Sequence, residues 1–394
     1  MKKILLLVTM CLCKSLFAQA TNPVLSPGTG TYAGTVTVAI SNSTSGSFFF
    51  CTTDGSTPDI SSPQVSGSVV IHATTTLKCL AAVPGVNQTG AQTKNPVSSY
   101  WKSPPDCHCG SSGMPACTGV GYNNPGNGCQ ADDPGGTDVP ASSTWSTGIS
   151  SPSLSGNAMQ FGETAQASKT QTNILFTMHS SFGGCDGCTQ FLETHDYYWP
   201  TSSNSSSDED DMYSFDLTDG IRFMAGAQYC HTGCPSGTAG WDFWGNSNVP
   251  WTYTGVTAGG TRGVWHHYQR YMYRIPSEVS SRPCSASGSW PYIYIKFLAI
   301  DGTAYNNGGS GWKACANALP SGWASAATPQ AQIDIGNHST SVSGTQYWDN
   351  VSYLATLPPS SVTTATYTIG APTSTPQGII SGNGFFTGNG AVIQ

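Results

Sequence analysis

Charged residues are scarce in this sequence. Only 9% of its 394 residues are Asp, Glu, Lys or Arg, compared with about 25% in an average soluble protein. This composition excludes helical bundles, coiled coils and disordered polyelectrolytes, because they depend on Glu, Lys and Arg. The 21 acidic residues outnumber the 14 basic ones, so the chain lacks the basic surface on which nucleic-acid binding depends.

Long apolar runs are absent after residue 20, so we expect no transmembrane helix. Residues 1–20 fit a secretory signal peptide: Met1–Lys3 is basic, Ile4–Met10 is apolar, and Ala18–Ala20 suits cleavage. A buried N-terminal helix is the alternative. The short lysine-containing leader is typical of bacteria. We therefore predict a secreted protein, either extracellular or periplasmic.

The chain has 14 cysteines, two of them in the predicted leader, and an even number remains for the exported protein. An even number in an exported chain predicts disulfides. Cys51 and Cys79 lie in two predicted strands, so we expect them to pair. Cys284 and Cys315 flank a third predicted strand, and we expect a second disulfide there.

Four further cysteines leave two chemistries open. Their spacing suits zinc as well as disulfides, although an exported chain favours disulfides; they are Cys185, Cys188, Cys230 and Cys234. The four cysteines within 101–140 match no standard zinc spacing. We expect that Gly- and Pro-rich segment to be a connector held by disulfides.

Helical hydrophobic periodicity is also nearly absent, whereas β-rich runs between turn residues recur along the chain. We predict an all-β protein, with strands in the main part of the chain near 157–162, 173–180, 189–199, 212–217, 221–228, 264–274, 291–300, 330–336 and 345–355. The strand near 291–299 alternates most clearly, and Asp301–Gly302 predicts a turn after it. Its predicted core side chains are Ile293, Ile295, Phe297 and Ala299, and its predicted outward side chains are Tyr292, Tyr294 and Lys296.

Residues 21–100 contain three motifs in order: Ser26–Tyr32, Thr52–Pro58 and Thr75–Lys78. Together they resemble the small β-sandwich at the C-terminus of chitobiase and β-hexosaminidase enzymes. The resemblance implies a small Ig-like β-sandwich that serves as an accessory domain without catalytic residues. Asp54 is then expected to form a turn.

Residues 141–357 contain Gly263–Gln269 with a Trp-His-His motif, Tyr292–Leu298 before an Asp-Gly pair, and Tyr347–Tyr353 with an Asp-Asn-Val motif. These segments resemble concanavalin A-like lectin and glucanase sandwiches, which implies a larger jelly-roll β-sandwich. The remaining segment, 358–394, has no charged residue. We expect a loose tail there or a short terminal strand.

Nine of the eleven tryptophans lie between Trp199 and Trp348. Aromatic rings stack on sugar faces while polar neighbours bind the hydroxyls. Trp241 and Trp244, on a predicted loop, are therefore candidate sugar-binding residues, with core packing as the alternative. If the strand near 291–299 lies in a concave sheet, the other candidates are Tyr292, Tyr294, Lys296, His267, Gln269, Gln332 and Asp334.

Catalytic motifs are weaker. The chain has only four glutamates, none of them in the E-x-D-x-x-E motif of concanavalin A-like glucanases. β-Elimination needs a base, an acid and a group that neutralises a uronate carboxylate. His267, Tyr294, Gln269 and Arg270 would supply these, although the strand motifs of alginate lyases are absent.

Carboxylates also suggest calcium at two places. The acidic run 207–211 is interpreted as a solvated loop, with a calcium site as the alternative. Asp349 is a calcium candidate implied by the resemblance to sugar-binding sandwiches. No other cofactor is expected.

The sequence favours a secreted protein that binds an extracellular polysaccharide without cleaving it. A polysaccharide lyase or atypical glycoside hydrolase is the alternative, and a cell-surface structural or adhesion protein is the third interpretation. The sugar and the oligomeric state are left open.

Overall fold

The computed structural model describes residues 19–83, 129–130, 142–156, 158–164, 171–177, 188–205, 207–215, 222–232, 234, 236–244, 252–284, 291–315, 317–318, 329–336 and 342–371. These residues form 24 strands in four sheets and one α-helix of six residues. The all-β prediction is therefore confirmed. Residues 1–18, and with them most of the predicted signal peptide, lie outside the described residues, as does most of the predicted connector.

A small sandwich packs a three-stranded sheet, ordered β1-β3-β6, against a five-stranded sheet, ordered β2-β24-β7-β4-β5. Alternation builds its core: Val36, Val38 and Ile40 are buried on β3, while the residues between them are exposed. Numbered in chain order, its strands are β1 (Val24–Ser26), β2 (Gly30–Ala33), β3 (Val36–Ser41), β4 (Phe48–Thr52), β5 (Gln64–Val65), β6 (Ser68–Ile71), β7 (Thr75–Ala82) and β24 (Thr363–Gly370).

The strand β24 comes from the C-terminal part of the chain and lies inside the small sandwich. It pairs parallel with β2 and antiparallel with β7. Ala365 and Tyr367 are buried on it, and the Tyr367 hydroxyl donates to the carbonyl oxygen of Pro27 at 2.8 Å. Part of the segment that the sequence assigns to a tail is therefore a strand of the first sandwich. The sequence left two alternatives for that segment, a loose tail or a short terminal strand. Residues 363–370 form the strand.

The large sandwich consists of two eight-stranded sheets. Sheet I is ordered β19-β18-β17-β12-β23-β10-β9, with β20 beside β18; sheet II is ordered β16-β15-β14-β13-β22-β11-β8, with β21 beside β14. Its elements are β8 (Cys129–Gln130), β9 (Ser142–Ile149), β10 (Ala158–Thr164), β11 (Gln171–Thr177), β12 (Gln190–Tyr198), β13 (Ser207–Phe215), β14 (Arg222–Cys230), β15 (Gly240–Trp244), β16 (Thr252–Tyr253), β17 (Trp265–Tyr273), α1 (Pro276–Ser281), β18 (Tyr292–Ile300), β19 (Thr303–Tyr305), β20 (Trp312–Cys315), β21 (Asn317–Ala318), β22 (Pro329–Gly336) and β23 (Ser343–Thr356).

Two predicted loops are strands of sheet II. The acidic run 207–211 lies in β13, which pairs with β14 on one side and β22 on the other. Trp241 and Phe243 lie on β15 and are buried in the core between the sheets. The loop predictions were wrong because pairing with neighbouring strands overrides the weak strand propensity of acidic and Gly-rich segments.

A bulge at Lys296 interrupts the alternation on β18. The cross-strand register passes from Met272 opposite Ile295 to Tyr271 opposite Phe297, which leaves Lys296 unmatched. Leu298 and Ile300 are consequently buried in the core between the sheets, while Phe297 packs against the small sandwich. Assigning Phe297 and Ala299 to the same core face as Ile293 and Ile295 was therefore wrong, because the extra residue reverses the alternation.

The small sandwich covers part of the outer face of sheet I. Phe50, Ile60 and Leu80 from the small sandwich form one buried cluster with Tyr271 and Leu354 from sheet I. An ion pair between Lys296 Nζ and the Asp59 carboxylate joins the same two surfaces. The two sandwiches therefore share an apolar and partly ionic interface.

The disulfide predictions for two pairs are confirmed. Cys51 and Cys79 lie opposite each other on β4 and β7 with Cα atoms 4.2 Å apart, and Cys284 is bonded to Cys315. Cys230 is bonded to Cys234, and Cys188 is also disulfide-bonded, whereas Cys185 lies outside the described residues. Disulfides rather than zinc therefore account for these three of the four cysteines.

No helix in the described ranges is long and apolar enough to cross a membrane.

Candidate functional site

The pairing of β12 with β17 creates a polar and aromatic surface on the outside of sheet I. Directly opposite residues of an antiparallel pair share a face, and the register sets Tyr198 against Trp265, Asp196 against His267 and Thr194 against Gln269. The alternate residues of both strands, such as Tyr197 and Tyr268, are buried in the core between the sheets.

Three aromatic rings lie side by side across this surface. Tyr198 on β12 is flanked by Trp265 on β17 and by Tyr347 on β23, with ring centroids 5.5 Å and 5.9 Å away. All three side chains are half-buried. A partly exposed aromatic row can stack against the apolar face of a ligand ring.

A polar row runs parallel to the aromatic row. His267 Nδ1 lies 2.6 Å from Asp196 Oδ1, and Asp196 Oδ2 accepts a hydrogen bond from Asn350 Nδ2 at 2.7 Å. The side chain of His267 is 32% exposed, whereas that of Asp196 is 10% exposed. Within the described ranges His267 Nε2 has no hydrogen-bond partner. Asp196 therefore fixes the imidazole so that its second nitrogen is available to a ligand. We call these two rows, with Gln269, the aromatic face: Tyr198, Trp265, Tyr347, Asp196, His267, Asn350 and Gln269.

The two histidines of the Trp-His-His motif lie on opposite faces of β17, so that His266 is buried and His267 is partly exposed. His266 is buried, and its Nδ1 lies 2.8 Å from Asp301 Oδ2. Asp301 Oδ1 accepts a hydrogen bond from the backbone N–H of His267 at 2.8 Å. Burial raises the pKa of the Asp301 carboxyl, but these bonds outweigh burial and hold the pKa below its usual value. Asp301 thus anchors the strand that carries His267, at the Asp-Gly turn predicted from the sequence.

Asp349 anchors a loop beside the aromatic face. Its two carboxylate oxygens accept hydrogen bonds from the Ser153 and Ser155 hydroxyls and from the backbone N–H groups of Leu154, Ser155 and Asn350. Burial raises the pKa of Asp349, but bonds from Ser155, Ser153 and Leu154 outweigh burial and lower it. No cluster of three or more His, Cys, Asp or Glu side chains forms in the described part of the chain. The calcium site at Asp349 stays a prediction.

The tyrosines predicted on β18 face outward but lie far from His267. Tyr294 pairs with Tyr273, which is six residues along β17 from His267, or about 20 Å at 3.3 Å per residue. The Tyr294 hydroxyl donates to Glu278 Oε1 at 2.6 Å, and burial together with this carboxylate raises its pKa. Lys296 is paired with Asp59. The β18 residues therefore form a separate group from the aromatic face.

The lyase quartet of the sequence analysis is not assembled. Arg270 is fully buried between the sheets, where its guanidinium donates to Glu193 Oε2 at 3.0 Å. Tyr294 is too distant to act with His267. Only His267 and Gln269 of the quartet lie together, because alternation turns Arg270 inward.

Three other predicted binding residues do not join this surface. Gln332 and Asp334 lie on β22, which pairs with β11 and β13 in sheet II rather than with β17. Trp241 is 2% exposed and donates its indole N–H to the carbonyl oxygen of Ala258, so it is a core residue. The side chain of Trp244 lies outside the described residues.

Sequence reasoning missed most of the aromatic face. Tyr198, Trp265, Tyr347, Asp196 and Asn350 come from three strands that are distant in the chain. Alternation within β12 and β17 indicates which residues share a face of each strand, but a single sequence does not indicate which strands pair.

Sheet II carries a buried carboxyl group of its own. Asp242 on β15 lies opposite Gln228 on β14, and both are nearly inaccessible to solvent. Burial raises the pKa of Asp242 to about 7. This carboxyl group is therefore partly protonated near neutral pH.

Comparison with known proteins identifies the small sandwich. Residues 27–94 match the model of the chitobiase/beta-hexosaminidase C-terminal domain. The resemblance seen in the sequence is confirmed for this segment, to which the structure adds β24. No curated protein matches the chain.

Three solved structures to which the chain is similar are distant from it. An alginate lyase, Aly36B, is 11% identical over 51% of this chain and 81% of its own, with a TM-score of 0.28. A carbohydrate-binding module of the β-sandwich superfamily is 9% identical over 86% of this chain and 99% of its own, with a TM-score of 0.25. A sialidase is 8% identical over 49% of this chain and 15% of its own, with a TM-score of 0.26. This chain therefore spans only a small part of the sialidase's length. TM-scores of this size assign neither an activity nor a ligand.

Proposed function

We propose that the protein is secreted and binds an extracellular polysaccharide at the aromatic face without cleaving it. The observation that most directly supports this proposal is the aromatic row of Trp265, Tyr198 and Tyr347 beside the polar row that contains His267. Stacked rings contact the apolar faces of sugar units, and neighbouring imidazole and amide groups bind hydroxyls. The disulfides support export, because they persist in oxidising compartments.

The charge of the aromatic face favours a neutral polysaccharide. Its seven residues include no lysine or arginine, and Asp196 supplies a negative charge. Arg270, the nearest cation on β17, is buried on the opposite side of the sheet. A uronate-rich chain would bring carboxylates to these seven residues, none of which is a cation that could bind them.

The decisive experiment compares Trp265→Ala with the unmodified protein in binding to insoluble and soluble neutral polysaccharides. Loss of one stacking ring is expected to lower the affinity about tenfold, since stacking and hydrogen bonding each contribute on the order of 1 kcal/mol. Tyr253→Ala is the control, because Tyr253 is an exposed tyrosine at the edge of sheet II. Equal affinities for Trp265→Ala and Tyr253→Ala would refute the proposal.

A polysaccharide lyase is the second candidate, favoured by the His267–Asp196 pair. A histidine held through Nδ1 by a carboxylate can act as a general base through Nε2. The aromatic face lacks the cation that would neutralise a uronate carboxylate, which is why we rank binding first. Formation of unsaturated uronate products by the full chain, abolished in His267→Ala, would favour the lyase.

A further inference from the structure

A cleft separate from the aromatic face lies where the two sandwiches meet. It is a cleft of about 390 Å³, within the size range of small-ligand sites. Asp59 lines it from the small sandwich, and residues of the sheet I region line the remainder: Gln190, Tyr271, Tyr273, Ile295, Lys296, the loop residues 309–311 and Trp312 at the start of β20. The cleft is therefore a composite of both sandwiches.

Tyrosines line one side of the cleft. Tyr273 stacks on Tyr294 with ring centroids 5.1 Å apart and an interplanar angle of 13°, and Tyr271 lies 6.2 Å from Tyr273. Tyr271 is almost completely buried, whereas Tyr273 is half-buried. Tyr273 thus offers an aromatic surface whose orientation is fixed by its neighbours.

The charges at the cleft are mutually neutralised. Lys296 pairs with Asp59 Oδ2, and Asp59 Oδ1 accepts hydrogen bonds from the backbone N–H and hydroxyl of Ser61. The ammonium group lies 5.6 Å from the centroid of the Tyr271 ring. Gly309 and Gly311 have positive φ angles of 94° and 66°, so their backbone approaches the cleft without side chains. These features suit an uncharged ligand that is rich in hydroxyl groups.

Two buried polar atoms beside the cleft make no hydrogen bond within the part of the chain that the structure describes. Gln190 lies between Tyr273 on β17 and Thr356 on β23 in the cross-strand register. Gln190 Oε1 and Thr356 Oγ1 are both buried and lack a hydrogen-bond partner among the described residues. Buried polar groups without partners are rare in native proteins and call for a water molecule or a ligand.

We infer that this cleft is a second saccharide-binding site, in which the small sandwich supplies Asp59 and the large sandwich supplies Tyr273 and Gln190. The ligand is an uncharged sugar unit that stacks on Tyr273 and hydrogen-bonds to Gln190 and the ion pair. The small sandwich then contributes directly to ligand binding. The inference goes beyond the proposed function, because Tyr273, the ring on which the sugar stacks, lies six residues along β17 from His267, or about 20 Å at 3.3 Å per residue.

The test is calorimetric titration of the full chain with four neutral probes: cellotetraose, mannotetraose, xylotetraose and maltotetraose. Gln190→Leu is expected to lower the cleft affinity at least tenfold without lowering the Tm, because leucine keeps the volume and removes an unpartnered buried oxygen. Unchanged affinity in Gln190→Leu would overturn the inference. The same holds if none of the four sugars binds the unmodified protein at millimolar concentration.

Asp59→Asn tests the contribution of the small sandwich independently. It is expected to lower the cleft affinity several-fold, whereas Asp54→Asn, in a turn of the same sandwich where Asp54 binds Ser56, leaves it unchanged. Equal sugar affinities of Asp59→Asn and Asp54→Asn would overturn the inference that the small sandwich contributes to the cleft site. A loss in Trp265→Ala with no loss in Gln190→Leu would retain the proposed function and reject the cleft. The opposite pattern would retain the cleft and reject the aromatic face.

Discussion

The hydroxyl of Tyr367 donates a hydrogen bond to the carbonyl oxygen of Pro27, 340 residues earlier in the chain, at 2.8 Å. Tyr367 is completely buried and packs near Tyr32, with ring centroids 5.8 Å apart. This contact joins the two ends of the described chain in one β-sandwich. The small sandwich is therefore composed of two segments, with the large sandwich inserted between them.

Tyr367→Ala should destabilise the small sandwich by about 3–5 kcal/mol, because it removes a fully buried ring. Thr368→Ala is the matched control: Thr368 is the next residue on β24 and is exposed, so its change should lie within about 0.5 kcal/mol. Chemical denaturation of the full chain measures the free energy of unfolding of both variants.

A chain that ends at Leu357 should lose the protection of β7 amides from hydrogen exchange, because β24 is the strand that pairs with β7. Retained protection would show that residues 21–100 fold without β24.

Asp196→Ala should weaken polysaccharide binding about five- to tenfold, since it releases His267 and the Asn350 amide from their fixed positions. Asp301→Ala, which removes the partner of buried His266, should instead lower the Tm. Affinity measured at a temperature where both variants are folded separates the two effects. The prediction fails if Asp196→Ala binds as tightly as the unmodified protein.

Asp242 should make stability depend on pH. Burial raises the pKa of its carboxyl to about 7 in the folded chain, compared with about 3.9 in an unfolded chain. Between these values the folded state binds more protons, so stability should fall as the pH rises from about 4 to 7, by on the order of 2–4 kcal/mol. Asp242→Asn should reduce this decrease, as measured by urea denaturation at several pH values. A slope unchanged by the substitution would contradict the prediction.

Loss of the Cys51–Cys79 disulfide should destabilise the small sandwich by about 3–4 kcal/mol, because the bond closes a loop with a sequence separation of 28 residues. The variant Cys51→Ala/Cys79→Ala would be compared with the unmodified protein in thermal unfolding.

A separate prediction is that the exported chain contains no free thiol. Mass spectrometry after alkylation without reductant checks it, and alkylated cysteines in stoichiometric amount would refute it.

Short-range patterns in the sequence were sufficient to predict much of the fold. The alternation of Tyr292–Ile295 on β18 and the Asp301–Gly302 turn each involve residues close in sequence. Strand periodicity and turn chemistry act over a few residues, so they can be recognised without knowing what packs against them. The all-β class and the first module follow from such signals.

Tertiary structure decided the remainder, because strand pairing connects residues that no local pattern relates. The register between β12 and β17 brought Asp196 to His267, and the insertion of β24 beside β7 made Tyr367 a core residue. One unmatched residue at Lys296 reversed the alternation of β18. Burial between two sheets likewise made Trp241 and Arg270 core residues. In each case, the face that a side chain occupies depends on the neighbouring strand, and that neighbour comes from a distant part of the sequence.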